Sequence, residues 1–320
     1  MVQKVNLQAE VPMELAGQRF DQIAAQLFSD YSRSRLQAWI KSGELQVNSQ
    51  PMKAKEKLFG GESLEVKAEL EDEGRWVAES ITLDVVYEDE HILVINKPAG
   101  LVVHPGAGHA DGTLLNALLH HCPEVGSVPR AGIVHRLDKD TTGLMVVAKS
   151  LIAHAHLVEQ LQERTVSREY EAVVNGVMTG GGMVDEPIGR HPSQRIKMAV
   201  NPTGKEAITH YRLMKKYRSH THICLKLETG RTHQIRVHMS HKRYPLVGDL
   251  IYGGRLRLPK GASEEFRDFL QSFKRQALHA RRLGLIHPVT EEYMEWEVDL
   301  PDDFSSLLNW LDEDIDGNEE

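Results

Sequence analysis

The sequence predicts an α+β protein in two parts, a small module near the N-terminus followed by a larger strand-rich domain. Three observations carry this. A length of 320 residues suggests about two domains at roughly 100–200 residues each. Helical spacing gives way to strand alternation within residues 17–67. From Ile81 onward, short apolar runs recur between Gly, Pro, Asp and Asn turns, with helical stretches between them. Hydrophobic content of 41% and charged content of 26% exclude a collagenous or wholly disordered chain.

The elements follow in order. Residues 1–16 read as a leading segment. In 17–67, Phe20, Ile23, Ala24, Leu27 and Phe28 recur at helical spacing. Ser32 or Ser34 can cap a second helix that buries Leu36 and Ile40. After Gly43, Leu45 and Val47 alternate as a strand, Asn48-Ser49-Gln50-Pro51 is a turn, and Gly60-Gly61 precedes a strand with Leu64 and Val66. Residues 68–80 are acidic and read as a linker. Residues 81–301 read as one domain. Its strand-like runs include Ile92–Ile95, Ile133-Val134, Leu144–Val147, Tyr170–Val174 and Ile223–Leu227, and its helices lie near 113–121, 151–164 and 263–273. Residues 302–320 form an acidic tail, either disordered or docked as a short helix through Leu307, Leu308 and Leu311.

A formal net charge of -8 argues against a nucleic-acid partner until it is divided. Residues 302–320 hold eight acids and no Lys or Arg, and residues 69–90 hold nine acids against Arg75 alone, so the rest of the chain carries +8. The body is basic. Its small module contributes Arg33, Arg35, Lys41, Lys53, Lys55 and Lys57, which form either a solvated face or a phosphate-contacting one. Cys122 and Cys224 make no CxxC pair, which fits a reducing cytoplasm. Neither a signal peptide nor a membrane span is expected, because no apolar run is long enough.

The stretch from Ala131 to Lys149 holds the densest chemistry: a polar loop with Asp138, Asp140, Arg136, Lys139, Thr141 and Thr142 between two apolar flanks. Catalytic groups favour loops on rigid strands, whereas a plain hairpin would also use Asp and Thr in its turn. Asp-Lys-Asp-Thr-Thr-Gly has a superficial likeness to the aspartyl-phosphate motif of ion-pumping ATPases. That chemistry needs phosphate loops and Mg²⁺ carboxylates, and neither GxxxxGK[ST] nor a Gly-Asp-Gly-x-Asn-Asp pattern occurs. Seventeen histidines raise a metal reading, but HExxH is absent and His233, His238 and His241 have no metal-site spacing, so no metal is expected.

Two resemblances sharpen these readings. Ser32-Arg33-Ser34-Arg35, Ile40-Lys41-Ser42-Gly43 and Leu45-Gln46-Val47-Asn48 resemble the S4 RNA-binding domain. The segment His135-Arg136-Leu137-Asp138-Lys139-Asp140-Thr141-Thr142-Gly143-Leu144 matches the signature of the RluA family of pseudouridine synthases. Ile95–Leu101 precedes it, and Arg168–Ala172, Leu227–His238 and Pro245–Asp249 follow in the family's order. The match resembles most the members that act on a stem-loop of large-subunit (23S) ribosomal RNA.

The resemblance implies a catalytic domain on a mixed, mainly antiparallel β-sheet with flanking helices and loops, behind an α/β S4-like module that contacts RNA through Arg33, Arg35 and Lys41. It implies conversion of uridine to pseudouridine. No atoms enter or leave in that reaction, so no cofactor is needed. Asp138 is the implied nucleophile or base, acting at C1′ or C2′ much as a carboxylate serves a cationic sugar centre. Arg236 is its implied partner, and a cation within about 4–6 Å favours a charged carboxylate. Tyr170 is implied to lie against the base and to assist at C5. Arg136 is implied to enter the space vacated by a flipped base, since a base in a stem must be extruded. Leu137, Ile235 and His135 complete the substrate pocket, while Lys97-Pro98 and Gly248-Asp249 support its floor. The expected partner is 23S ribosomal RNA or the pre-ribosomal large subunit, met by a monomer away from any membrane. The alternative is an RNA-binding assembly factor that uses the same surface without chemistry.

Overall fold

The computed structural model describes all residues except 1–2, 29–30, 32, 71–75, 107–108, 195 and 317–320. It divides into two compact units, Met1–Arg75 and Trp76–Glu320.

The first unit orders as β1 (Gln3–Glu10), α1 (Phe20–Leu27), α2 (Arg33–Ser42), β2 (Leu45–Val47) and β3 (Ser63–Leu70). Its sheet runs β1-β3-β2, with both pairs antiparallel. Phe20, Ile23 and Ala24 of α1 pack with Leu36, Trp39 and Ile40 of α2 onto Leu45, Leu64 and Val66 of the sheet. The turn after β2 places Asn48 and Ser49 at positive φ, 48° and 60°. Asn tolerates that region through its short polar side chain. Residues 3–10 are therefore no separate leading segment: β1 pairs along its length with β3, from Gln3–Leu70 to Glu10–Ser63. The expected cap at Ser32 or Ser34 and the Arg33 side chain lie outside the described residues.

In the second unit, β4 (Val85–Glu88) and β5 (Ile92–Lys97) precede α3 (Leu114–His121), β6 (Thr142–Ala148), α4 (Leu151–Gln162) and β7 (Ser167–Asn175). Next come β8 (Gly182–Asp185), β9 (Ile188–Arg190), β10 (Met198–Val200), β11 (Ile208–Lys216) and β12 (His220–Leu227). The chain closes with α5 (Gln234–His241), α6 (Glu264–Ser272), β13 (Leu278–Ile286), β14 (Tyr293–Glu297) and α7 (Asp302–Asp316). Among the described residues, nine strands join in the order β4-β5-β6-β13-β7-β12-β11-β8, with β14 beside β13, and only β6 and β13 pair in parallel. The mixed, mainly antiparallel sheet with helices is the expected class. Every residue of β6 is buried, the mark of a strand covered on both faces. Ser150 and Ser263 cap α4 and α6 by accepting from Ala153 N–H and Phe266 N–H.

Two further expectations are corrected, and one left open is decided. Residues 68–80 are not a linker throughout, since β3 extends to Leu70 and Glu79 N–H donates to Asn116 O of α3. For residues 302–316 the docked-helix reading of the C-terminal segment holds. Phe304, Leu307 and Leu311 of α7 are buried with Phe266 and Leu270 of α6. Asp303 and Asp314 pair with Arg275 and Arg218, and Asp312 with Lys215. Ile133-Val134 forms no strand, because Arg130 and Ala131 sit at φ 55° and 51° just before it and turn the chain. A single bridge from Ile133 to Val147 remains.

Candidate active site

Residues 135–141 form a loop between that bridge and β6, and it is tied at every end. Lys97 Nζ donates to Lys139 O at 2.9 Å and also to Pro98 O and Leu101 O. Arg275 Nη1 donates to Asp140 O at 3.3 Å, and Gln276 Nε2 to Thr141 Oγ1 at 2.9 Å. Val146 N–H donates to His135 Nε2 at 3.0 Å. The loop enters β6 through Gly143 at φ +111°, where a Cβ would lie 2.3 Å from Ala280 O of β13. Both the backbone conformation and the close approach of two strands require glycine. Fixed in this way, the loop holds its side chains on a rigid support.

Asp138 faces a cavity of about 580 Å³ lined by Leu137, Tyr170, Ile235, Arg236 and His233. That volume suits a small ligand or one nucleotide unit. Arg236 Nη1 donates to Asp138 Oδ2 at 2.9 Å. The same guanidinium donates from Nε and Nη2 to Asp249, at 2.7 and 2.9 Å. Asp249 also accepts Ile251 and Tyr252 N–H, both at 2.9 Å. A fork with a carboxylate on each side cannot rotate without breaking charge-assisted bonds. Burial opposes the Arg236 charge, but Asp249 and Asp138 outweigh it and hold its pKa above the ordinary value. Burial likewise opposes the Asp249 charge, and Arg236 overcomes it, holding that carboxyl below the usual range.

The other oxygen of Asp138 is met differently. His233, at φ 57°, caps α5 and places Nε2 3.8 Å from Asp138 Oδ1. Tyr252 OH accepts Met198 N–H at 2.9 Å and lies 2.7 Å from His233 Nδ1. A Tyr252 proton donated to Nδ1 would leave Nε2 as the protonated nitrogen facing Asp138. Burial lowers the His233 pKa despite the Asp138 carboxylate. Arg236 lies over the Tyr252 ring at 5.0 Å, so one tyrosine steadies both neighbours of Asp138.

The structure brings together Asp138, Arg236, Tyr170, Leu137 and Ile235. Tyr170 is buried on β7, and burial raises its phenol pKa, so the ring is uncharged at neutral pH. Arg136 is exposed at the cavity rim, near Arg130, Arg164 and Arg231. His135 lines the cavity but has a second role: its Nε2 accepts from β6, and burial pushes its pKa down to about 3. Arg35 and Lys41 lie on α2 of the other unit. Sequence reasoning missed His233, Tyr252 and Arg168 as members of this site. His233 and Arg168 stand inside matched motifs, whereas Tyr252 stands just outside one. His238, one of the spaced histidines, lies between Thr209 Oγ1 and Glu186 O. Among the described residues, Glu88, His121 and Cys122 are the group with metal-ligating geometry, and Lys149 Nζ already donates to Glu88 at 2.8 Å.

Comparison with known proteins gives a consistent answer. Residues 91–241 match the family model described as RNA pseudouridylate synthase. A ribosomal large subunit pseudouridine synthase D of Pseudomonas aeruginosa is 62% identical over 306 residues, 96% of each chain. The protein of that name from Escherichia coli is 57% identical, covering 99% of this chain and 97% of its own. Among solved structures, human RNA pseudouridylate synthase domain containing 4 aligns with a TM-score of 0.56 at 28% identity, over 72% of this chain and 93% of its own. Its counterpart domain containing 1 gives 0.53 at 27% identity, over 72% and 88%.

Proposed function

Because the chain belongs to the RNA pseudouridylate synthase family, we propose that the Asp138 cavity receives a uridine of large-subunit ribosomal RNA and isomerises it there to pseudouridine. The observation that carries this reading is the division of labour between the two Asp138 oxygens. Oδ2 is bonded to Arg236, whereas Oδ1, 3.8 Å from His233 Nε2, has no hydrogen bond among the described residues. One oxygen is thus oriented and the other is available to the sugar. The same oxygen serves either route, attack at C1′ or proton removal at C2′. Leu137, Ile235 and the Tyr170 ring supply apolar walls for a base extruded from its stack. Exposed Arg136 is placed to enter the gap that the base leaves, where a planar guanidinium can stack.

The near full-length likeness to ribosomal large subunit pseudouridine synthases supports 23S ribosomal RNA, free or in the pre-ribosomal large subunit, as the substrate. A monomer is the working form we propose. None of the described helices is long and apolar enough to cross a membrane, and both cysteines are free, which supports action in the cytoplasm. Asp138→Asn should abolish pseudouridine formation on transcribed ribosomal RNA while leaving RNA binding nearly intact. Full activity in that variant would remove Asp138 from the chemistry and favour the assembly-factor alternative.

The first unit acts, in this reading, as an S4-like module that holds RNA phosphates through Arg33, Arg35 and Lys41. Each neutralised phosphate releases counterions. Replacing the three bases should therefore flatten the salt dependence of binding by about 0.7–0.9 in log–log slope for each phosphate left unneutralised. An unchanged slope would place the main phosphate contacts elsewhere.

A further inference from the structure

Arg168 is a buried cation for which no ion pair is found among the described residues. It lines the same cavity, on β7 two residues before Tyr170, so both side chains leave the same face of the strand. Only 7% of its surface is exposed. Nη2 donates to Glu228 O at 3.1 Å, whereas Nε is buried with no acceptor among the described residues. Nη1 lies where a side chain at Gly230 would be: a Cβ there would come within 2.8 Å of it. The chain thus keeps open, by a glycine, the space that a half-satisfied guanidinium occupies. Arginine placed this way is costly to fold around, and an unsatisfied buried donor calls for an explanation.

The reaction supplies a partner. When N1–C1′ breaks, the bonding pair leaves with the base. The ring becomes a uracil anion whose charge spreads onto O2 and O4. C1′ either bonds to Asp138 Oδ1 or forms a double bond to C2′ after Asp138 takes the C2′ proton. C5 then bonds to C1′ as the C1′–Oδ1 bond breaks, or, on the second route, as Asp138 returns its proton to C2′; the C5 proton is released and N1 is reprotonated, so no atoms are gained or lost. On either route, negative charge appears on the base before the new bond forms. Arg236 is held by two carboxylates, and Arg136 stands at the exposed rim. Arg168 is the buried cation of the cavity for which no ion pair is found among the described residues.

We propose that Arg168 is a catalytic residue whose guanidinium contacts a carbonyl oxygen of the flipped uracil and stabilises the anion formed on N1–C1′ cleavage. The assignment rests on the reading of the Asp138 cavity as the uridine site. Donors aimed at charge that develops only during reaction act on kcat more than on binding.

The test compares RNA carrying uridine or 5-fluorouridine at the target, with loss of the N1-linked nucleoside measured under single turnover. Fluorine withdraws electrons and makes the base a better leaving anion, so a variant that has lost anion stabilisation should be rescued. Arg168→Gln should slow cleavage of the uridine substrate by about 10²-fold or more, the usual loss for one such donor, with RNA affinity within about threefold. With 5-fluorouridine the deficit should shrink at least about tenfold, and Arg168→Lys should lose less than Arg168→Gln on the plain substrate. Gly230→Ala retains the cation but displaces it. It should show a smaller deficit with the same fluorine rescue, and it carries the test if Arg168→Gln does not fold. Equal deficits on both substrates would make Arg168 a structural residue and overturn the proposal, as would wild-type rates in both variants. Asp138→Asn in the same assay separates the two levels: cleavage by that variant would refute the site reading itself, while its silence leaves only the Arg168 assignment in question.

Discussion

Asp249→Asn tests whether the orientation of Arg236 is what makes Asp138 competent. The Asp249 side chain is fully buried, and its two oxygens receive Arg236 Nε and Nη2 at 2.7 and 2.9 Å. An asparagine of the same shape keeps one acceptor, which Ile251 and Tyr252 N–H already engage. Its NH₂ would then face a guanidinium N–H, setting donor against donor where a charge-assisted bond had been. Two unit charges about 4 Å apart interact by about 4 kcal/mol at an effective dielectric constant near 20. Removing one partner of a buried pair typically costs about 3–5 kcal/mol. Asp138 still pairs with Arg236, so a loss near the lower bound, about 3 kcal/mol, is expected at pH 7. Activity should fall about 10²-fold, because an oriented group moved by about 1 Å loses that much.

The pH dependence gives the sharper readout. Asp249 has its pKa lowered by Arg236 against the effect of burial. Its stabilisation is therefore present above the unfolded carboxyl value, about 3.9, and is lost as pH falls through the lower folded value. The stability gap between wild type and Asp249→Asn should stay constant from pH 7 to about pH 5 and close below about pH 4. Urea unfolding at stepped pH measures the gap, and single-turnover kinetics on transcribed RNA measures the chemistry. A variant within about 1 kcal/mol of wild type at pH 7, or one with full kcat, would refute the claim that this buried pair holds the site.

Two further outcomes follow from the same geometry. Gly143→Ala places a Cβ 2.3 Å from Ala280 O and forces a residue at φ +111°, so it should part β6 from β13 and destabilise the fold by more than about 3 kcal/mol. A melting temperature close to wild type would contradict this. Tyr252→Phe keeps the ring under Arg236 but removes the hydroxyl that orients His233. It should lower kcat about tenfold with KM little changed, and an altered KM with intact kcat would place Tyr252 in substrate binding instead.

The sequence revealed most where pattern and chemistry coincide. Leu144–Val147 and Ile92–Ile95 are apolar runs bounded by turn residues, and both became central strands. Asp138 and Arg236 were identifiable as a pair only through a matched motif, because 98 residues separate them and no spacing rule links a loop to a helix at that range. Tyr252 lay in no apolar period and next to no charge cluster. Its role arises from where β10 delivers Met198 N–H, which is a tertiary fact. Residues 3–10 were misread for a related reason: a strand whose partner is some 60 residues away has no local signal beyond weak alternation.

The acidic C-terminus shows why a linear charge count misleads even after it is divided. Read along the chain, residues 302–316 are an excess of acid on a basic body. In the fold, their apolar stripe of Phe304, Leu307 and Leu311 docks, and docking carries Asp303 to Arg275, Asp312 to Lys215 and Asp314 to Arg218. Arg275 is also the residue that donates to Asp140 O in the Asp138 loop. The Asp303 pair is therefore more than neutralisation: with both Nε and Nη2 held by Asp303, the Arg275 fork is fixed with Nη1 directed at the loop. Burial opposes the Asp303 charge and Arg275 prevails, so the carboxyl stays below its ordinary range and the clamp persists at neutral pH. The acids that seemed to count against an RNA enzyme thus form part of the frame that holds the Asp138 loop in place.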